Sequence, residues 1–189
     1  MKNLAILASG SGSNAEVIIR YFRNHETIRI VLVISNKVEA GVLEKAERLG
    51  IPSMVIPKKC WQEETDILQT FKNRQIDGII LAGFLLQVPP FLIERYSKRI
   101  INIHPALLPK FGGKGMYGKQ VHQAVKLAGE SNTGITIHEV NEVYDDGEII
   151  FQASCSILPT DDVETIALKV QELEHIHYPK VIEGHFKSI

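Results

Sequence analysis

The stretch Asn102-Ile-His-Pro105 concentrates groups that can do chemistry. Residues two apart on a strand project from the same face, so a strand here sets the Asn102 amide beside the His104 imidazole. Pro105 has no N–H to continue a ladder and ends the strand. An amide donor can stabilise an oxyanion, and an adjacent imidazole can move protons. A strand-end histidine bonded to backbone is the plainer alternative for His104 taken alone. The turn Asp145-Asp146-Gly147 bears on the choice. Asp145 against the ring would orient it and raise its pKa, favouring the imidazolium. By itself, Asp-Asp-Gly is also simply a good turn between two strands.

A glycine loop is the second feature. Gly10-Ser-Gly-Ser-Asn-Ala15 has the spacing G-x-G-x-x-A between an apolar run and a helix-like run. Glycines permit a tight turn, and the unpaired N–H groups of a helix's first turn attract an anion. The Ser11 and Ser13 hydroxyls and the Asn14 amide add neutral donors, a composition suited to one phosphate held without lysine. A nucleotide P-loop needs Gly-Lys-Ser/Thr, where this loop has Ser13-Asn14. A dinucleotide site expects an acid ending the next strand, where Ser35-Asn36-Lys37 stands instead. A phosphate monoester is favoured over NAD and over a merely structural turn.

A regular alternation of elements must position these groups. Residues 3–8 and 28–34 are continuously apolar, like strands buried on both faces. Helical spacing follows each, over 15–23 and 41–49, and a short strand is expected at 53–56. A helix over 61–74, a strand over 77–82, a helix over 90–96 starting at a proline and a strand over 99–104 repeat the pattern. This order predicts an α/β fold: a single domain with a mostly parallel, Rossmann-like open sheet and an antiparallel C-terminal portion. Ligands of such sheets bind beyond the strands' carboxyl ends, where His104 falls. Residues 105–118 are rich in Gly, Pro and Lys without periodicity, a loop long enough to suggest a function. A helix over 119–127 and strand-like segments at 134–140 and 148–158 follow. Val163, Ile166, Ala167, Val170 and Leu173 then share one face of a last helix, which Asp161 or Asp162 would cap. Residues 1–189 read as one domain.

Composition bounds the partners. Apolar residues are 44% and charged residues 23%, and the net charge of −1 gives no general pull on nucleic acid or an anionic membrane. No apolar run approaches the ~20 residues that span a bilayer. Cys60 and Cys155 are too few for a disulfide framework or closed zinc site. With an N-terminal apolar run too short for a signal peptide, they suggest a cytoplasmic protein. The His175-x-His177 pair lacks a third metal ligand nearby, so no metal is expected.

Taken together, the motifs resemble the folate-dependent formyltransferases, in their phosphoribosylglycinamide formyltransferase branch. The similarity runs nearly end to end: Ser9-Gly-x-Gly-Ser-Asn14, Ser35-Asn36-Lys37, Leu81-Ala-Gly-Phe84, Asn102-Ile-His-Pro-x-Leu-Leu-Pro-Lys110, Gly134-x-x-x-His138, Asp145-x-Gly147 and Glu174-His-x-x-Tyr-Pro179. Formyltransferases share the Asn-x-His-Pro and Asp segments generally. The N-terminal loop and the Glu174-His175 pair narrow the match to the ribonucleotide branch.

The resemblance implies that Gly12, Ser13 and Asn14 hold the phosphate of glycinamide ribonucleotide and that Glu174 helps bind the same substrate. It implies a folate pocket along Leu85, Leu86, Gln87 and Val88, facing Asn141, Glu142, Val143, Tyr144 and Asp145, with Asn102 at its inner end. Asn102, His104 and Asp145 would be catalytic. The amine would attack the formyl carbon of the cosubstrate 10-formyltetrahydrofolate directly, Asn102 and protonated His104 stabilising the tetrahedral oxyanion. The partners implied are small molecules, in a monomer or homodimer. Leu86 stands where many relatives have arginine, and Glu64 where some place a basic residue near the folate tail, with Lys58 or Lys59 as possible compensation. The loop at 111–118 is longer than the commoner family form, and His122 after it is expected on a surface helix more than facing ligand.

Three rival functions are weighed. A formyltetrahydrofolate deformylase shares the central motifs but typically carries an N-terminal regulatory domain, for which a first strand at residue 3 leaves no room. A methionyl-tRNA formyltransferase is longer and basic. An NAD- or nucleotide-binding module would leave Asn102, His104 and Asp145 unexplained.

Overall fold

The first strand, β1 (Lys2–Leu7), is completely buried over its last four residues because helices cover both sides of the sheet. The structure is a computed structural model that describes residues 1–189. After β1 come α1 (Ser13–Tyr21), β2 (Ile28–Ser35), α2 (Gly41–Arg48), β3 (Ser53–Val55), α3 (Glu64–Asn73), β4 (Gly78–Leu81), α4 (Pro90–Arg95) and β5 (Ile100–His104). The remainder is α5 (Lys119–Leu127), β6 (Asn132–Glu139), β7 (Ile149–Ser156) and a long α6 (Val163–Ser188).

One seven-stranded sheet runs in the order β3-β2-β1-β4-β5-β6-β7. The pairs from β3 to β5 are parallel, while β6 runs antiparallel to β5 and β7 antiparallel to β6. From β1 the chain runs outward to β2 and β3, then crosses back to place β4 on the other side of β1. That reversal opens a crevice at the carboxyl ends of β1 and β4, the usual ligand position in this architecture. Ala15, Ile18 and Val42 from α1 and α2, with Val170, Tyr178 and Ile182 from α6, pack one face of the sheet. Ile67, Phe71 and Leu92 from α3 and α4, with Trp61, pack the other.

Two details set the site's floor. The fully buried Tyr178 hydroxyl donates to the carbonyls of Leu81 (2.9 Å) and Ile101 (3.2 Å), tying α6 to the strands that end at the crevice. Asp162 caps α6 by accepting from the Thr165 N–H at 2.7 Å. Asp161 instead accepts from the Leu158 N–H and pairs with Lys169.

The structure divides the helix expected over 61–74. A 3-10 turn at Lys58–Gln62 precedes α3, because Trp61 turns inward and its indole N–H donates to the Ile56 carbonyl at 2.8 Å. The last strand stops at Ser156 rather than 158 because Leu158 enters the Asp161 turn.

Candidate active site

Beyond the strand ends lies a cleft of ≈ 820 Å³, within the range of small-molecule sites. The glycine loop forms one end. Gly12 has φ 75°, and a Cβ there would lie 2.6 Å from the Val42 side chain, so the sequence needs glycine both for the turn and for the approach of α2. No side chain caps α1, which leaves its first-turn N–H groups to a ligand. Asn36, where a dinucleotide site would place an acid, turns to the glycine loop instead. It accepts from the Ser9 hydroxyl at 2.5 Å, and that hydroxyl in turn accepts from the Leu85 N–H at 2.9 Å.

From α6, Gln171 donates to Ser13 Oγ at 3.3 Å and Glu174 accepts from the Asn14 amide at 2.8 Å. Burial raises the Glu174 pKa, and the Asn14 bond only partly opposes it. Asn14 thus reaches its expected neighbourhood with part of its amide engaged by Glu174.

At the centre, His104 is 3% exposed and held from two sides. Its Nε2 lies 2.8 Å from the Phe111 carbonyl, which can only accept, so Nε2 carries a proton. Its Nδ1 lies 3.3 Å from Asp145 Oδ2. Asp145 also accepts from the Gly113 N–H at 2.9 Å, and it adopts φ 56° at the turn. Burial pushes the Asp145 carboxyl up. His138, His104 and the Gly113 N–H more than offset this, leaving its pKa below the ordinary value.

The His104 pKa does not rise overall as the Asp145 partner alone would have it. Burial lowers its pKa, Asp145 and the Phe111 carbonyl raise it, nearby His138 lowers it, and the net direction is down. Asp145 acts in the direction read from sequence, but desolvation of a ring this enclosed outweighs it. Both nitrogens still face acceptors, an arrangement complete only when the ring takes a second proton.

The segments expected to hold folate meet in this cleft, where Leu85 adjoins the glycine loop by donating its N–H to Ser9 Oγ. Leu85, Leu86, Gln87 and Val88 line the same cleft as Asn141, Glu142, Val143 and Tyr144. Gln87 bridges them by donating to the Glu142 carbonyl at 2.9 Å. Leu86 packs against the second core cluster. Lys58, Lys59 and Glu64 lie outside the lining. The long loop contributes Gly113 through Gly118 to the wall. His122 is buried against that wall rather than on the surface, with Nδ1 unpartnered and its pKa lowered by burial and by His104.

Sequence reading missed the support from β6 and β7. Thr136 Oγ1 accepts from the Leu108 N–H and donates to the Ala106 carbonyl, holding the turn after His104. Gln152 donates to both Thr136 Oγ1 and the Leu108 carbonyl. His138 lies 3.1 Å from the Asn102 amide nitrogen. Alternation along β6 places Gly134, Thr136 and His138 on one face, but only the pairing with β5 reveals what that face meets. No cluster of three or more His, Cys, Asp or Glu side chains is arranged to hold a metal ion.

Comparison with known proteins places these features in context. The formyl transferase family model matches residues 2–182. The chain is 38% identical to the chloroplastic phosphoribosylglycinamide formyltransferase of Arabidopsis thaliana, over 96% of this chain and 64% of that protein. It therefore spans less than two thirds of that relative's length. It is 36% identical to the phosphoribosylglycinamide formyltransferase of Bacillus subtilis (strain 168), over 97% of this chain and 94% of that one. The crystal structure of the Bacillus halodurans phosphoribosylglycinamide formyltransferase superimposes with a TM-score of 0.87 at 38% identity, covering 96% of this chain and 93% of its own.

Proposed function

The chain belongs to the formyl transferase family, and from that premise we propose that it transfers a formyl group from 10-formyltetrahydrofolate to the amine of 5-phosphoribosylglycinamide, a step of purine biosynthesis. One observation carries the reading. A single cleft joins a phosphate-type glycine loop to the Asn102, His104 and Asp145 cluster and continues into a partly apolar channel. Those environments suit a phosphate, an amine meeting a formyl carbon, and a flat pterin.

In the proposed reaction the neutral amine attacks the formyl carbon, forming the new C–N bond as the carbonyl oxygen becomes an oxyanion. An Asn102 N–H stabilises that oxygen. His104, its Nε2–H held by Phe111 and its Nδ1 facing Asp145, accepts the proton lost by the amine at Nδ1 through a water beside that carboxylate. The resulting imidazolium lies beside ionised Asp145, whose charge offsets the cost of charging a buried ring. His104 then returns the proton to the departing folate nitrogen as its C–N bond breaks. The cycle closes without a covalent enzyme intermediate.

Hydrolysis of the formyl carrier is the competing outcome of the same centre. The glycine loop and the Glu174–Asn14 pair favour transfer, since water as acceptor requires neither. The test is folate release from 10-formyltetrahydrofolate with and without the ribonucleotide. Release that depends on the ribonucleotide supports transfer, and equal release without it overturns it in favour of the hydrolase.

A further inference from the structure

His138 stands directly opposite Asn102 in the β5–β6 pairing, so the two side chains leave the sheet on the same face. His138 Nδ1 lies 2.7 Å from the Glu139 carbonyl. A carbonyl only accepts, so Nδ1 carries a proton, and in the singly protonated ring Nε2 presents a lone pair. Asn102 Nδ2 is 3.1 Å from that lone pair. The amide must therefore turn its NH2 group towards β6, with one N–H donated to His138 and the other left for the cleft. Gly147 keeps the arrangement accessible: a Cβ there would collide with the Glu139 carbonyl and lie 3.4 Å from His138 Nδ1.

Resting on the proposed formyl transfer, we propose that His138 is a positioning residue, which fixes the flip state of the Asn102 amide and thereby aims its second N–H at the developing oxyanion. The ring also approaches Asp145 and helps lower that carboxyl's pKa, but its Nε2 is 3.6 Å from Oδ1, whereas the Asn102 contact is 3.1 Å and within hydrogen-bonding distance. The shorter contact decides which neighbour His138 orients. Without it, Asn102 would be free to turn its acceptor oxygen towards the reacting carbonyl, where an acceptor opposes negative charge.

The experiment measures kcat and the ribonucleotide KM in the full chain, for substitutions at His138 alone and on an Asn102→Ala background. His138→Leu and His138→Met both lack the acceptor, so a folded sample of either suffices. We expect kcat to fall tenfold or more, up to the roughly 10²–10³-fold cost of losing one oxyanion donor, with KM changed less than about threefold. His138→Gln, which restores an acceptor oxygen, should recover most of the rate. On the Asn102→Ala background the same substitutions should have almost no further effect, because the group they position is gone. An equal loss on both backgrounds, a loss carried by KM, or no recovery in His138→Gln would overturn the proposal. Wild-type protein that transfers no formyl group would instead refute the functional reading on which it rests.

Discussion

His104 Nδ1 and Asp145 Oδ2 stand 3.3 Å apart, and the loop following β5 clasps both partners at once. The Phe111 carbonyl holds the far side of the ring, and the Gly113 N–H holds the same carboxylate oxygen. Gly112, between them, has no Cβ because one would crowd Leu108 and lie 3.2 Å from Asp145 Cβ. The pair is thus fixed in position before substrate arrives, which lowers the reorganisation needed when charge develops.

Asp145→Asn tests that charge. Asp145 raises the His104 pKa against burial, so its neutralisation should lower that pKa further and move the acid limb of the rate profile to lower pH. kcat should fall by roughly 10²-fold or more, because the imidazolium loses its counter-charge. The native Asp145 pKa is depressed, so its stabilisation is present above the ordinary aspartate pKa and lost as pH falls through the folded value. Melting curves should therefore separate the variant from wild type at neutral pH and converge in acid. An unmoved acid limb would contradict this role.

Gly12→Ala should damage the loop in two ways. Alanine is strained at φ 75°, and its Cβ would meet Val42 at 2.6 Å. A destabilisation of about 1–3 kcal/mol is expected, together with a raised KM for the ribonucleotide. Gly10 has no atom within 4 Å of a built Cβ, so Gly10→Ala should cost far less stability. Equal melting temperatures for the two variants would contradict the packing argument.

Glu174→Gln separates binding from stability. Burial raises the Glu174 pKa, so its contribution to folding is fully present below the ordinary carboxylate pKa and is lost as pH rises through the folded value. The uncharged variant escapes that loss. Its melting temperature relative to wild type should therefore increase as pH rises above the ordinary carboxylate pKa, by roughly 2–4 °C for each kcal/mol relieved. Ribonucleotide affinity should drop roughly tenfold as a charged acceptor disappears. A melting difference independent of pH would mean that Glu174 is not penalised by burial.

Tyr178→Phe removes the only donor that Tyr178 gives to the Leu81 and Ile101 carbonyls. The cost should be about 1–3 kcal/mol, read as a fall of several degrees in thermal denaturation. An unchanged melting temperature would show that the hydroxyl does not tie α6 to the sheet.

The parallel core was legible because its strands are buried on both faces and must be apolar without alternation, as at Leu4 through Ala8. Asn102 and His104 were legible for a similarly local reason, the two-residue period of a strand closed by Pro105. What escaped was cross-chain. Nothing in residues 132–139 alone says that His138 will face Asn102, because strand pairing is settled by tertiary contacts. The short α5 reads as a surface helix, yet Val121 and Val125 pack with Ala106, and His122 is buried at the edge of the cleft that the long loop also lines. The net direction of the His104 pKa escaped for the same reason: sequence names the carboxylate partner, but the extent of ring burial emerges only from the fold.

The most direct measurement follows the formyl carbon itself. Protein is mixed with 10-formyltetrahydrofolate labelled with carbon-13 in the formyl group and with glycinamide ribonucleotide, and the products are read by NMR. The labelled carbon should appear as the formamide of the ribonucleotide, at a rate that His104→Ala reduces by roughly 10²–10⁴-fold. Labelled formate accumulating at the same rate with or without the ribonucleotide, or full activity in His104→Ala, would contradict formyl transfer centred on His104.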